Sequence, residues 1–468
     1  ASLDFRPDAH WHWHNIYFSS VIARYAFALY LPEFKDSARW QSETWDEYRR
    51  CVPAQARPDG TNVEQSPNYH NVSLQNIAMI TLLRQLNGMD VPEEHTRILE
   101  AMSRVLVAWA TPTRRMPPVS DSMEKPLAGL LFPPSLCRSE GRYPWAAPSA
   151  EERLHLPAVE TAECLARPEL PLPDRHRALP DGGYYVMRSG WDEAANYLIF
   201  DAGPHGYFHG HLDLFSIHVI SGERTLLPDP GITSYDQDPA RYGTLATPCH
   251  NTIHLNGFSH RPYEDEEHPL AHVTQWEPRP DGSVLLSAYH TAYDHLWGKP
   301  VVRRQIYFDG EGLFVFVDRI DCEQVDAGRR HHGFLLGFNL PDREQSEIDT
   351  VDGWARSTFD TGPNLYIRTL DRESLHQIFT ESNLWRDRAP GPGRPKGGGI
   401  RETVRLCPCK NADRAWMAHV VRITRDGPAA PVAGQARGET RGVVQVQVRE
   451  GDKDLSLSFE PEKIVVCD

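Results

Sequence analysis

The sequence predicts an α+β multidomain chain, helical in its first part and built of antiparallel strands in its second. Three observations carry this expectation: helical apolar spacing up to about residue 110, proline-rich sequence from 111 to 182, and alternating residues beyond Gly182. At 468 residues the chain is longer than one hydrophobic core usually serves, and roughly 150 residues per domain gives two or three units. The expected division is 1–175, helical with a proline-rich connection, and 176–468, all-β.

The clearest helix signal is Ile98, Met102, Val105 and Trp109, spaced i, i+4, i+7, i+11 and widened by Leu99 and Leu106, with Pro112 as the stop. Ile16 to Leu31, Ser37 to Tyr48 and Ser73 to Leu86 read the same way. The pairs Pro117-Pro118 and Pro133-Pro134 and the run Pro171 to Pro173 mark 111–182 as a long connection, with a short helix around 150–165. Farther on, Val444 to Val448 and Leu455 to Phe459 alternate as half-buried strands do. Leu313 to Val317 is continuously apolar, which suits a central strand covered on both faces. Arg386 to Gly399 is rich in proline and glycine and reads as a mobile surface loop. No repeat of fixed period is present.

Composition narrows the function. Against 64 acidic residues stand 49 basic ones, a formal net charge of -15, which disfavours a nucleic-acid surface. An acidic substrate must therefore be held by local basic groups. No run of about 18 apolar residues is present to span a membrane. The start at Ala1 reads as a trimmed terminus from which a signal peptide has gone, so a periplasmic or secreted location is expected. Eight cysteines are scattered without CxxC pairs, which indicates neither a zinc ribbon nor a dense disulfide framework.

Three segments carry candidate chemistry. The first is Phe208 to Leu214, followed by Leu226 to Gly231 and Cys249 to Thr252. On a strand, His209, His211 and Asp213 would share a face, so two or more could converge on a metal or a substrate. Imidazole and carboxylate suit zinc, although an isolated HxH is more often a surface or core feature. The second is the polar run Asp59 to His70, whose plain reading is a loop leading to a helix near Ser73. The third is Trp11 to Asn15, where Asn15 could simply cap the next helix.

Taken together, Glu64 to His70, His209 to Asp213, Asp229-Pro230-Gly231 and His250-Asn251-Thr252 resemble the heparinase II/III family and its alginate-lyase relatives. Asn15 before Leu31 to Phe34, and the turn Pro118 to Ser122, extend the resemblance over most of the chain. It implies an incomplete α/α toroid, here short or trimmed, followed by an antiparallel β-sandwich. Residue by residue it implies that Tyr69 and His209 are catalytic and that Asn15 contacts the substrate carboxylate. His14 would join that clamp, and Tyr242 matches a tyrosine near the cleft. His211, Asp229 and His250 match the ligands of a Zn2+ site of structural character. The implied activity is β-elimination on a uronic-acid polysaccharide, heparin, heparan sulfate or another glycosaminoglycan first, alginate or another polyuronate second.

That chemistry needs these residue types. Removing the weakly acidic C5 proton of a uronate requires its carboxylate to be neutralised as charge spreads into it. A base then takes the proton and an acid protonates the departing O4, tasks that the resemblance implies Tyr69 and His209 share, with syn or anti removal deciding which is the base. Two rival readings use the same residues: a non-haem iron oxygenase with His211, Asp213 and His250 as ligands and Arg261 as a cosubstrate clamp, and a cleft that binds sugar without cleaving it.

Overall fold

A computed structural model describes residues 12–236, 239–262, 269–325, 331–387, 399–451 and 453–467. Trp11 lies outside these residues, as does most of the expected 386–399 loop. The described ends of that loop, Arg386 and Asp387, pair in register with Ile400 and Gly399.

The helical part contains α1 (Asn15–Tyr30), α2 (Ser37–Ala54), α3 (Pro67–Leu86), α4 (Glu93–Trp109), α5 (Leu127–Leu136) and α6 (Ala158–Ala166). Helix α3 begins six residues before the expected Ser73, because Pro67 occupies its first turn, where a missing N–H costs nothing. Tyr69 and His70 are consequently helical rather than part of a loop. Helix α5 was masked in the sequence by Pro133 and Pro134, both inside it. Pro134 has no N–H for the Leu130 carbonyl four residues back, and the Gln75 side-chain amide donates to that oxygen instead, at 2.7 Å. The expected short helix near 150–165 is a 3-10 turn, Glu152–His155, followed by α6.

Among the described residues the β part contains four sheets, and every pairing between their strands is antiparallel. The first is a five-stranded meander over 177–227, and its side chains alternate between two cores. Tyr184, Val186, Tyr197 and Ile199 pack with the helices, while Tyr185, Met187, Leu198 and Phe200 pack with the later sheets. An eight-stranded sheet over 271–424 takes the middle. On its central strand Leu313–Cys322, Phe314 and Phe316 face the core shared with the meander; Leu313, Val315 and Val317 face a third core under the four-stranded sheet of 433–467. The continuous apolar run thus reflects burial on both faces. All eight cysteines are free thiols. Among the described residues no helix is long and apolar enough to cross a membrane.

One expectation fails in a way that matters for the site. His209, His211 and Asp213 do not lie on a strand; residues 202–216 form a loop between the strands Asn196–Asp201 and Ile217–Ser221. Two glycines explain its shape. A Cβ on Gly206 (φ +75°) would come within 2.3 Å of the Gln65 Cβ, and one on Gly210 would collide with the His205 carbonyl. Only backbone without side chains lets this loop fold on itself and lie against Glu64 and Gln65.

The loop is anchored from beneath by Arg304, fully buried on the strand Pro300–Phe308. Its Nη1 donates to the carbonyls of Phe215, at 2.7 Å, and Asn251, at 2.8 Å, while Nε and Nη2 pair with the Asp318 carboxylate at 2.7 and 3.1 Å. A buried charge loses hydration and must recover it from such partners. Asp318→Ala is expected to destabilise the fold by about 3–5 kcal/mol, because it strands the guanidinium in the core. Chemical denaturation measures this; a loss below about 1 kcal/mol would mean that the two carbonyls alone compensate the cation.

Candidate active site

The residues singled out in the sequence meet where α1, α3 and the 202–216 loop converge. Asn15 opens α1, and the residue that caps this helix is its neighbour His14, whose Nδ1 accepts from the Ile16 N–H at 3.1 Å. Freed from capping, the Asn15 amide turns inward. Its Nδ2 donates to both oxygens of buried Glu64, at 2.9 and 3.0 Å, and lies 3.3 Å from the His209 Nε2. Tyr69, on the first turn of α3, stacks on the His209 ring, with centroids 3.4 Å apart and planes 11° from parallel. Asn15, Tyr69 and His209 therefore share one site assembled from both parts of the chain.

The hub of this site is a residue that the sequence offered only as part of a turn. Asp121 is fully buried and accepts from the His209 Nδ1 at 3.1 Å, the His211 Nε2 at 2.9 Å and both terminal nitrogens of Arg241, one of them at 2.7 Å. Its backbone N–H also donates to the His209 carbonyl. Burial alone would raise the Asp121 pKa. The hydrogen bonds from His209, His211 and Arg241 outweigh that and hold it far below the usual carboxylate range. An ionised carboxylate only accepts, so His209 must carry its proton on Nδ1 when neutral, which leaves Nε2 bare toward Asn15.

Burial is the main cause that raises the Tyr69 phenol; Asp121 and Glu64 add to it, and the Tyr235 hydroxyl, 2.8 Å away, partly offsets it. Tyr69 thus keeps its proton at neutral pH. Burial also raises the Glu64 carboxyl, opposed by its bonds to Asn15. For His14, burial and then the proximity of His209 lower the pKa, which favours the neutral imidazole.

Tyr242 takes no part in this network. It is exposed on α7 (Pro239–Leu245), and among the described residues no hydrogen bond or ring contact joins it to Tyr69, His209 or Asn15. Arg241, its neighbour, turns inward to Asp121, and the tyrosine that reaches Tyr69 is Tyr235. A basic lining was expected; Arg241, a cation at this centre, pairs with Asp121.

Directly behind lies a second cluster. Ligand atoms of His211, Asp229 and His250, all buried, lie within 4.8 Å of one another. The carboxylate of this group is Asp229, and Asp213, required by the iron-oxygenase reading, is not a member. Asp229 Oδ2 is 2.8 Å from the His250 Nδ1 and Oδ1 accepts from the Gly231 N–H. Two buried nitrogens, the His211 Nδ1 and the His250 Nε2, have no hydrogen-bond partner. Two imidazoles and a carboxylate around orphaned nitrogens fit a divalent metal with borderline ligand preference. The His211 Nε2 bond to Asp121 is the outer-sphere contact that a ligating imidazole usually makes.

Asp121, Glu64, Arg241 and Tyr235 were not identified as site residues from the sequence. Asp121 and Glu64 did lie inside motifs used there, and that membership is the signal the sequence offers for them.

Two family profiles match this chain: "Heparinase II/III N-terminus" over residues 8–130 and "Heparinase II/III-like, C-terminal" over residues 171–428. A heparin-sulfate lyase from Pedobacter heparinus is 24% identical over 363 residues, covering 74% of this chain and 49% of its own length. One from Bacteroides stercoris is 23% identical over 451 residues, covering 93% of this chain and 61% of its own length. The chain thus spans about half to three fifths of these relatives. Among solved structures, a crystal structure of heparinase III superposes with a TM-score of 0.77 at 18% identity, over 98% of this chain and 68% of that one. Heparan sulfate lyase HepC from Pedobacter heparinus superposes with a TM-score of 0.71 at 19% identity, over 95% and 66%. With its C-terminal profile spanning the loop, the strands and the His/Asp/His cluster just described, the chain belongs to the heparinase II/III-like family.

Proposed function

We propose that this protein is a polysaccharide lyase that cleaves a uronic-acid-containing glycosaminoglycan of the heparin or heparan sulfate kind by β-elimination. The observation that carries this reading is the convergence of Asn15, Tyr69 and His209, with a bare imidazole nitrogen and a protonated phenol side by side. The relatives named heparin-sulfate lyase support the choice of polymer. In the same reading the helices are an incomplete α/α toroid, short or trimmed, and the stacked sheets a β-sandwich, divided near residues 175 and 176. The site of action is periplasmic or secreted.

The His209 Nε2 takes the C5 proton, and the C5–H electron pair forms the C4–C5 double bond as the C4–O4 bond breaks. Tyr69 gives its proton to O4. Exchange with solvent then returns His209 and Tyr69 to their starting protonation states. Asn15 meets the substrate carboxylate, with one amide hydrogen fixed by Glu64 and the other turned toward His209, and neutral His14 assists it. Asp121 is a positioning residue that sets the His209 tautomer. His211, Asp229 and His250 would hold a Zn2+ that supplies a structural cross-link behind the cleft rather than a nucleophile, because elimination adds no water.

The first test is Tyr69→Phe. It should retain the fold and affinity but lose about 10²–10⁴-fold in turnover, read from the ultraviolet absorbance of the unsaturated uronate across a panel of uronic polysaccharides. Activity within a few-fold of the parent would sink the assignment of Tyr69. Asn15→Ala should lower kcat through a donor worth roughly 3 kcal/mol as the enolate forms; a change in KM alone would show that it holds ground and transition states equally.

Asp121→Asn should lower kcat by a factor of about 10² or more while substrate affinity holds, and should weaken metal binding about 10- to 100-fold. Unchanged kcat and metal content would remove Asp121 from its positioning role. Elemental analysis should find one zinc per chain. Chelation should lower the thermal midpoint more than it lowers the rate of the chemical step in protein that remains folded. Iron in the site, or no metal in protein never exposed to chelator, would refute the zinc assignment.

A further inference from the structure

The residues flanking Asn15 and His209 build a surface that the elimination chemistry leaves unused. Trp13 and Tyr207 stack with ring centroids 4.1 Å apart and planes 19° from parallel. Phe208 continues the stack 6.5 Å from Trp13 at 23°, and meets His14 edge-on at 5.7 Å. Tyr207 holds its place with a φ of +59°, a conformation that aromatic residues rarely adopt. Yet the Phe208 ring is 62% exposed, beside the buried Asn15 and next in sequence to His209. An aromatic group serving only the core would be covered. This wall stands instead at the mouth of a polar site and is contributed by both parts of the chain.

A pyranose ring has a polar rim and an apolar face of axial C–H bonds, and such a face is attracted to the negative face of an aromatic ring. An anionic group over that ring is repelled. Asn15 and His209 take the uronate in the proposed reading, so a wall built from the residues beside them faces the adjoining ring. We infer that Trp13, Tyr207 and Phe208 form a subsite that stacks on the hexosamine adjoining the cleaved uronate. This inference rests on the lyase reading and adds the recognition of an alternating polymer over a plain polyuronate.

The test uses the full chain carrying Tyr69→Phe, so that the ligand survives, titrated calorimetrically with a heparan tetrasaccharide and separately with a polyuronate tetrasaccharide. In that background Phe208→Ala and Trp13→Ala should each weaken heparan binding about tenfold, Phe208→Trp should keep it within about threefold, and Phe208→Leu should not restore it. Because Phe208 is exposed, its variants should keep the parent thermal midpoint even where Trp13→Ala unfolds. No binding of the heparan tetrasaccharide, affinity indifferent to Phe208→Ala, full rescue by leucine, or equal affinity for the polyuronate would each overturn the subsite. Turnover of uronic polymers by the unmutated protein is read separately. Its absence with the aromatic dependence intact refutes the lyase reading and leaves the wall as a sugar site, whereas its presence without that dependence refutes the wall alone.

Discussion

A carboxylate removed from water is tolerated only when its oxygens are fully satisfied, and Asp121 meets that condition by drawing three side chains from distant segments onto one point. His209, His211 and Arg241 each supply N–H groups to it, so the loop carrying the histidines and the helix carrying the arginine are both referenced to the same turn. The position of His209, its tautomer and the outer support of His211 follow from this one group. Remove its charge and the two histidines lose their common reference, although each would still sit in the loop.

The loop could not present these histidines without the layers beneath it. The meander of 177–227 is apolar on both faces, one against the helices and one against the eight-stranded sheet, so the helical and β parts share their packing. Chain segments at one end of this meander carry His209 and His211, before the strand Ile217–Ser221, and Asp229, after the strand Arg224–Leu227. Arg304 reaches up from the neighbouring sheet to hold the carbonyls of Phe215 and Asn251, next to both metal-type segments. Glu64 does for Asn15 what Asp121 does for His209, using burial to make one bond compulsory. The fixed amide and the fixed imidazole then lie 3.3 Å apart.

What the sequence determined by itself was the local pattern. Period 3.6 in residues 98–109 and period 2 in 444–448 and 455–459 match α4 and the outer strands, because burial on one face of a regular element leaves a periodic trace. Leu313 to Val317 announced burial on both faces for the same reason. Where the backbone was irregular the pattern failed: Pro133 and Pro134 hid α5, whose freed carbonyl is satisfied by Gln75 from another helix, and the 202–216 loop was mistaken for a strand. The grouping of His211, Asp229 and His250, with Asp229 rather than Asp213, was implied by the family resemblance, and folding brings their ligand atoms within 4.8 Å of one another.

Only the tertiary structure decided the electrostatics of the site. Asp121 meets Arg241 across 120 positions and His209 across 88; Tyr69 meets Tyr235 across 166; Asn15 meets Glu64 across 49. Such pairs leave no periodic trace, since hydrogen bonding and desolvation depend on separation in space and not along the chain. The sequence singled out Tyr69 and His209 as candidate proton-transfer groups through the family resemblance of the motifs that hold them. Burial keeps the Tyr69 phenol protonated, and the Asp121 carboxylate that folding brings beneath His209 takes the hydrogen bond of its Nδ1.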